Sequence, residues 1–229
     1  MTAPLTSSTR SARPTWLNSE ASYITCTVTI ILVVAAGFAI QAIPGWTDAE
    51  LAFLIHVSNV HGPVGNAVAL GMSWLFSPLI GSSLLIAVAG VMLIVTRSFL
   101  MPAQMLILVV LPWLGSDLMK ILVHRPRPDL TQLSDALAAE PTSFSYPSGH
   151  TTFAAAFCLA LLITLWTTRW RPVFIAIAVI VPLLMAACRV YLGVHYLSDV
   201  IAGLLYATAA VGLAGGLFEK YAWPQRRAL

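Results

Sequence analysis

Charge is scarce in this sequence. Only 9% of its 229 residues are Asp, Glu, Lys or Arg, where soluble domains average about 25%. A soluble helical protein needs a polar face on each helix, and the long apolar runs of this chain, with 59% hydrophobic side chains overall, have none. Cysteine is rare too. Cys26, Cys158 and Cys188 fall inside or at the ends of apolar runs with no CxxC spacing, which excludes a disulfide framework and a cysteine-built zinc site. The sequence also lacks DxD, HExxH and any cluster of carboxylates, so no metal and no other cofactor is expected. The net charge of +3 is distributed in a membrane pattern, and nucleic acid is not an expected partner. No internal repeat and no second domain are visible.

What is present is a series of runs long enough for a bilayer. A hydrocarbon core about 30 Å thick takes about 20 apolar residues per helix. Six stretches qualify: Tyr23–Ile43, Phe76–Thr96, Ala103–Val123, Thr151–Thr168, Val173–Leu192 and Val200–Phe218. The expected fold is therefore all-α, a polytopic membrane protein with six transmembrane helices. The first run exceeds the roughly 7 to 15 apolar residues of a secretory signal, so it is read as a retained span. Residues 1–22 read as a disordered cytoplasmic tail, 23–218 as the membrane domain and 219–229 as a second cytoplasmic tail. With the N-terminus inside, Arg10, Arg13, Arg97, Arg169, Arg171, Lys220, Arg226 and Arg227, eight of the twelve Lys and Arg residues, lie on the cytoplasmic side, as the positive-inside rule expects.

That orientation gathers the other polar residues at the opposite face. Lys120 lies near the outer end of the third span and His150 opens the fourth. Arg189 ends the fifth, while His195 and Asp199 open the sixth. Any one of them alone reads as a snorkelling cation or a structural histidine; together, at membrane depth, they read as a site. The segment Thr47–His61 mixes Leu51, Leu54, Ile55 and Val57 with Asp48, Glu50 and His56. It reads as a short interfacial helix, serving either as a lid or lipid-entry surface or as simple packing beside the first spans.

Three motifs carry the chemistry: Lys120 with Arg127-Pro128, Pro147-Ser148-Gly149-His150, and Cys188-Arg189 followed by His195 and Asp199. In order and spacing they match K-x6-RP, PSGH and SR-x5-H-x3-D. On these residues the chain resembles the type-2 phosphatidic acid phosphatase family of integral-membrane lipid phosphatases, related to glucose-6-phosphatase and the vanadium haloperoxidases. The resemblance implies a helical core of the acid phosphatase and haloperoxidase kind. It also implies metal-independent hydrolysis of a lipid phosphate at the extracytoplasmic face, with His195 as nucleophile. Cys188 departs from the pattern, standing where the family usually has serine; a thiol donates hydrogen bonds poorly.

The residue types fit that chemistry on their own terms. Phosphoryl transfer spreads negative charge over equatorial oxygens. Lys120, Arg127 and Arg189 supply cations, the arginines as planar forks. Ser148 offers a hydroxyl, and Gly149 and His150 offer amides at a helix N-terminus. Four residues apart, His195 and Asp199 are expected on one helical face, the carboxylate fixing the imidazole that attacks phosphorus. His150 is the expected acid for the leaving oxygen and then the base for water. Arg125-Pro126 offers a second RP pair; the family's spacing favours Arg127, leaving Arg125 for the head group or a nearby carboxylate. Asp117, one turn before Lys120, reads as its partner.

The expected partners are the bilayer and a membrane lipid substrate, with undecaprenyl or another polyprenyl diphosphate favoured and phosphatidate or phosphatidylglycerophosphate as alternatives. A lipid phosphotransferase and a non-catalytic lipid-phosphate transporter are the other readings; a transporter would need neither nucleophile nor acid. The orientation has a direct test. A cysteine introduced between Asp129 and Phe144 should react with an impermeant thiol reagent in intact cells, and labelling only after lysis would invert the topology.

Overall fold

The computed structural model describes residues 15–138 and 143–222. Arg10, Arg13, Arg226 and Arg227, with most of the two expected tails, lie outside the described residues. In an apolar solvent each backbone N–H and C=O must be satisfied within its own segment, and the apolar runs accordingly form helices. Among the described residues these are α1 (Glu20–Ala42), α2 (Trp46–Ser58), α3 (Pro63–Leu75), α4 (Pro78–Thr96), α5 (Leu100–Val123), α6 (Gly149–Thr164), α7 (Arg171–Tyr191) and α8 (Leu197–Tyr221).

Five of them, α1, α4, α5, α7 and α8, are long and apolar enough to cross a membrane. The sixth expected span, α6, has 16 residues, shorter than the run Thr151–Thr168, and the chain turns after Thr164 before reaching Trp166. It is also the most enclosed part of the bundle. Small residues, Ala154, Ala155, Ala156 and Ala160, let α5, α7 and α8 close around it. Phe153 meets Trp113 and Phe76 edge-on at ring distances of 5.1 and 6.3 Å. Helix α1 packs along α8, α4 along α5 and α3 along α7. The outer surfaces carry exposed Ile31, Leu32, Val91, Ile94, Leu114, Leu118, Ile180 and Leu183, an apolar coat of the kind a lipid-facing surface needs.

Two features differ from the sequence expectation. The interfacial helix ends at Ser58 rather than His61. It is followed by α3, which begins at Pro63 in the first-turn position where a missing N–H costs nothing. At 13 residues α3 falls below any span criterion, which is why length alone gave Gly62–Leu75 no element.

Helix α1 braces the loop before α6. Tyr146 Oη donates to the Val33 carbonyl at 2.6 Å, and a Cβ on Gly37 would lie 2.7 Å from a Tyr146 ring carbon and 2.9 Å from Val123 Cγ1. Gly90 on α4 faces open space. Gly37→Ala should therefore cost about 1–3 kcal/mol by overpacking, whereas Gly90→Ala should gain about 0.5–1 kcal/mol from helix propensity. Thermal melts in detergent should move in opposite directions, and equal shifts would refute the packing assignment.

Candidate active site

The chain leaves α5 through His124, whose left-handed backbone (φ 54°) ends the helix. Pro126 and Pro128 keep the following segment from resuming one. This turn separates the two arginines of Arg125-Pro126-Arg127-Pro128. Arg127 lines a cavity of about 450 Å³, together with Ser73, Trp74, Phe76, Ser77, Pro78, Trp113, Asp117, Lys120, Ser143, Gly149, His150 and His195. Arg125 is fully buried and turns toward Glu50 and Asp199 instead. The spacing argument for Arg127 and the carboxylate alternative for Arg125 thus describe two different neighbours of one site.

Lys120 stands in the last turn of α5, its Nζ 2.7 Å from Asp117 Oδ1. It reaches the start of α6 because position 149 has no side chain: a Cβ there would sit 2.9 Å from the lysine Nζ. The ammonium and the first amides of α6 therefore share one edge of the cavity, where an anion would meet both. Arg127 is held by Ser143, with Nε on its carbonyl and Nη2 on its hydroxyl at 3.0 Å each, and Nη1 donates to the Val194 carbonyl at 3.0 Å.

The same Nη1 lies 3.3 Å from His195 Nε2. A guanidinium only donates, so Nε2 is the acceptor and the ring proton resides on Nδ1. Nδ1 faces Asp199 Oδ2 at 3.5 Å. The expected shared helical face is not the reason. His195 precedes α8, whose first residue is Leu197, and the chain reaches it by reversing at Gly193 (φ 69°). Asp199 comes close because, in the first turn of α8, its Oδ2 folds back to accept the Tyr196 N–H at 2.9 Å. Burial, and then the positive charges of Arg189, Arg127 and Lys120, push the His195 pKa well below the ordinary imidazole value, with the Ser145 backbone pulling the other way. The ring is thus held neutral with Nε2 unprotonated.

Ser148 and Arg189 are fully buried and are not among the residues lining the cavity. The Ser148 hydroxyl accepts from Thr151 Oγ1 at 3.1 Å, and its N–H donates to the Asp199 carbonyl at 3.0 Å, which ties the turn before α6 to α8. Arg189 donates to the Ser73 hydroxyl on α3. Cys188 packs with Ala69, Leu192 and Val194 in an apolar cluster, where a thiol needs no hydrogen-bond partner. Sequence reasoning missed Ser73, Trp74, Ser77, Trp113, Ser143 and the role of Glu50. Of these Glu50 carried a signal, as an acid among the apolar residues of a short helix that also holds Asp48 and His56.

The chain resembles known proteins in sequence and in fold. The family model described as PAP2 superfamily matches residues 98–221. The lipid A 1-phosphatase of Rhizobium etli (strain ATCC 51251 / DSM 11541 / JCM 21823 / NBRC 15573 / CFN 42) is 37% identical over 139 residues, covering 53% of this chain and 56% of that protein. The undecaprenyl-diphosphatase of Sulfolobus acidocaldarius is 31% identical over 121 residues, covering 52% of this chain and 56% of that protein. The chain thus spans about half the length of these curated relatives. The crystal structure of a transmembrane PAP2 type phosphatidylglycerolphosphate phosphatase from Bacillus subtilis superposes with a TM-score of 0.73 at 24% identity, covering 87% of this chain and 97% of that one. That likeness is one of fold.

The neutral state of His195 is measurable. In protein labelled with ¹⁵N-histidine, the signal lost in His195→Gln should remain that of a neutral ring at about pH 5, where an ordinary imidazole of pKa about 6.5 is mostly charged. Arg127→Gln removes a neighbouring positive charge and should raise the titration midpoint. A ring that charges near the ordinary value in the unsubstituted protein would contradict the burial argument.

Proposed function

The chain belongs to the PAP2 superfamily, and from that premise we propose that it hydrolyses a membrane lipid phosphate or diphosphate through a phosphohistidine on His195. The observation that carries this reading is the unprotonated Nε2 of a neutral, buried imidazole beside a cation-lined cavity, with a carboxylate behind its other nitrogen.

In this mechanism the phosphoryl oxygens take up the donors of Lys120 and Arg127 and the first amides of α6, while Arg189 adds charge from behind the lining and Ser148 supports the turn that presents the amides. Arg127 shifts its Nη1 from Nε2 to a phosphoryl oxygen, which frees the lone pair. Nε2 then bonds to phosphorus, the bond to the leaving oxygen breaks, and His150, which takes up a proton once the bound anion offsets the cations around it, gives that oxygen the proton. Asp199 faces the positive charge now carried by the ring. In the second step water attacks phosphorus, its proton passes to His150, and the N–P bond breaks. Every charge needed for the transfer comes from the chain's own side chains and backbone, so the reaction is written without a metal.

A lipid fits the cavity's walls. Trp74, Phe76, Pro78 and Trp113 line it along with the cations, and Trp74, Leu79, Leu114 and Leu118 are exposed on the apolar outer surface. A head group can enter sideways while its tail stays along α4 and α5. The favoured substrate is undecaprenyl diphosphate or another polyprenyl diphosphate, supported by the undecaprenyl-diphosphatase relative. Phosphatidylglycerophosphate is the second reading, supported by a phosphatidylglycerophosphatase B relative from Bacillus subtilis (strain 168), 33% identical over 113 residues. The basic connections at Arg97 and at Arg169 and Arg171 support an extracytoplasmic site.

Purified protein in detergent with excess chelator should release phosphate from at least one of polyprenyl diphosphate, phosphatidylglycerophosphate, phosphatidate and lipid A assayed side by side. His195→Ala should retain less than about a thousandth of that rate. His150→Ala should also lose most of its turnover, because the first step loses its acid and the second its base. Near-normal turnover by His195→Ala would remove the nucleophile from the scheme.

A further inference from the structure

The largest buried charge cluster outside the cavity lies behind Asp199. Arg125 has no exposed surface. Its Nη1 donates to Asp199 Oδ1 at 2.7 Å and to the Ser198 hydroxyl at 2.6 Å, while Nη2 donates to Glu50 Oε2 at 2.7 Å. The guanidinium plane lies over the Tyr196 ring, 4.2 Å from its centroid. Glu50, on α2, is itself fully engaged. Oε1 accepts the Ser198 N–H at 2.7 Å, and Oε2 accepts the Ser198 hydroxyl at 2.8 Å and Trp46 Nε1 at 2.9 Å. One carboxylate of α2 therefore caps the first turn of α8 and holds the arginine that holds Asp199.

We infer that Glu50 and Arg125 are positioning residues for the reaction, acting through Asp199 to set both the aim and the net charge of the group behind His195 Nδ1. The inference rests on the phosphatase reading above. The charge argument is simple. Asp199 alone would be a buried carboxylate with no cation, which favours taking up a proton. Asp199 with Arg125 alone would be neutral as a pair and offer little to a positive ring. Glu50, Arg125 and Asp199 together carry one net negative charge, and that charge faces the imidazole when Nε2 takes the phosphoryl group. Arg127 stands at the other ring nitrogen, and Arg189 and Lys120 add to the positive charge acting on the ring, so the negative trio is the counterweight that lets the phosphorylated ring carry its charge among cations. On this account α2 is a brace of the active site rather than a lid.

Glu50→Gln tests the idea with little change of shape. On the best substrate of the lipid panel, kcat should fall about tenfold or more while KM changes less than about twofold, because the phosphate-binding groups are untouched. In an Asp199→Asn background the same substitution should cost less than about twofold, since its route of action is already gone. Should Glu50→Gln fail to fold, Arg125→Lys keeps a cation between the two carboxylates but gives up the planar fork that holds both at once; it should show a kcat loss of the same kind. Orthovanadate affinity, measured calorimetrically, needs no turnover and should weaken in Glu50→Gln by about the factor seen in Asp199→Asn. Full kcat in Glu50→Gln, an undiminished loss in the Asp199→Asn background, or unchanged vanadate affinity would each overturn the proposal. A wild-type protein that binds vanadate yet releases phosphate from no lipid overturns the phosphatase reading, and the vanadate comparison still decides this one. A wild-type protein that does neither overturns both.

Discussion

A guanidinium inside an apolar bundle is stable only while oxygen atoms surround it, and Arg125 obtains its oxygens from places far apart in the chain. Glu50 comes from α2, Ser198 and Asp199 from the first turn of α8, and Arg125 itself from the turn after α5. Meeting that demand fixes where α2 lies, how α8 begins and how the chain leaves α5. The beginning of α8 then sets Asp199 against His195, and the exit from α5 carries Arg127 to the other ring nitrogen. One buried cation thus coordinates three segments that sequence distance would leave independent.

The resulting site is electrically two-sided. Toward the cavity, Lys120 and Arg127 surround a helix N-terminus; behind the histidine, two carboxylates outweigh one arginine. An anion entering from the cavity meets positive groups first, while the ring that receives it is backed by negative charge. In the proposed reaction, separating the two signs across a single imidazole keeps the ring neutral before attack and tolerable as a cation after it.

Much of this was legible in the sequence, for identifiable reasons. The helices α1, α4, α5, α7 and α8 announce themselves by length and apolarity, and the turn into α6 by Pro147 and Gly149. Motif spacing distinguished Arg127 from Arg125, because each distance is local. What stayed hidden was non-local or short. Glu50 is 75 residues from Arg125, and no periodicity links them. Helix α3 is too short to register as a span, yet it supplies Ser73 and Trp74 to the cavity. The family match, residues 98–221, contains Lys120, Arg127, His150, Arg189, His195 and Asp199, whereas Ser73, Trp74, Phe76, Ser77 and Pro78 fall before it. Apart from Trp113, the cavity's apolar lining and the groups assigned to the proposed reaction come from different parts of the chain. A reaction class is therefore easier to read here than the identity of the lipid.

The shortness of α6 bears on how such a lipid meets the protein. Sixteen residues rise about 24 Å at 1.5 Å each, some 6 Å less than a hydrocarbon core of about 30 Å. α6 gives up that length at the end away from the cavity: it begins at Gly149, which lines the cavity, and gives way to a turn after Thr164. In the proposed reaction a head group that enters from the side leaves its chain in the bilayer, and each methylene left there avoids about 0.8 kcal/mol of transfer free energy, so sideways entry saves more the longer the chain.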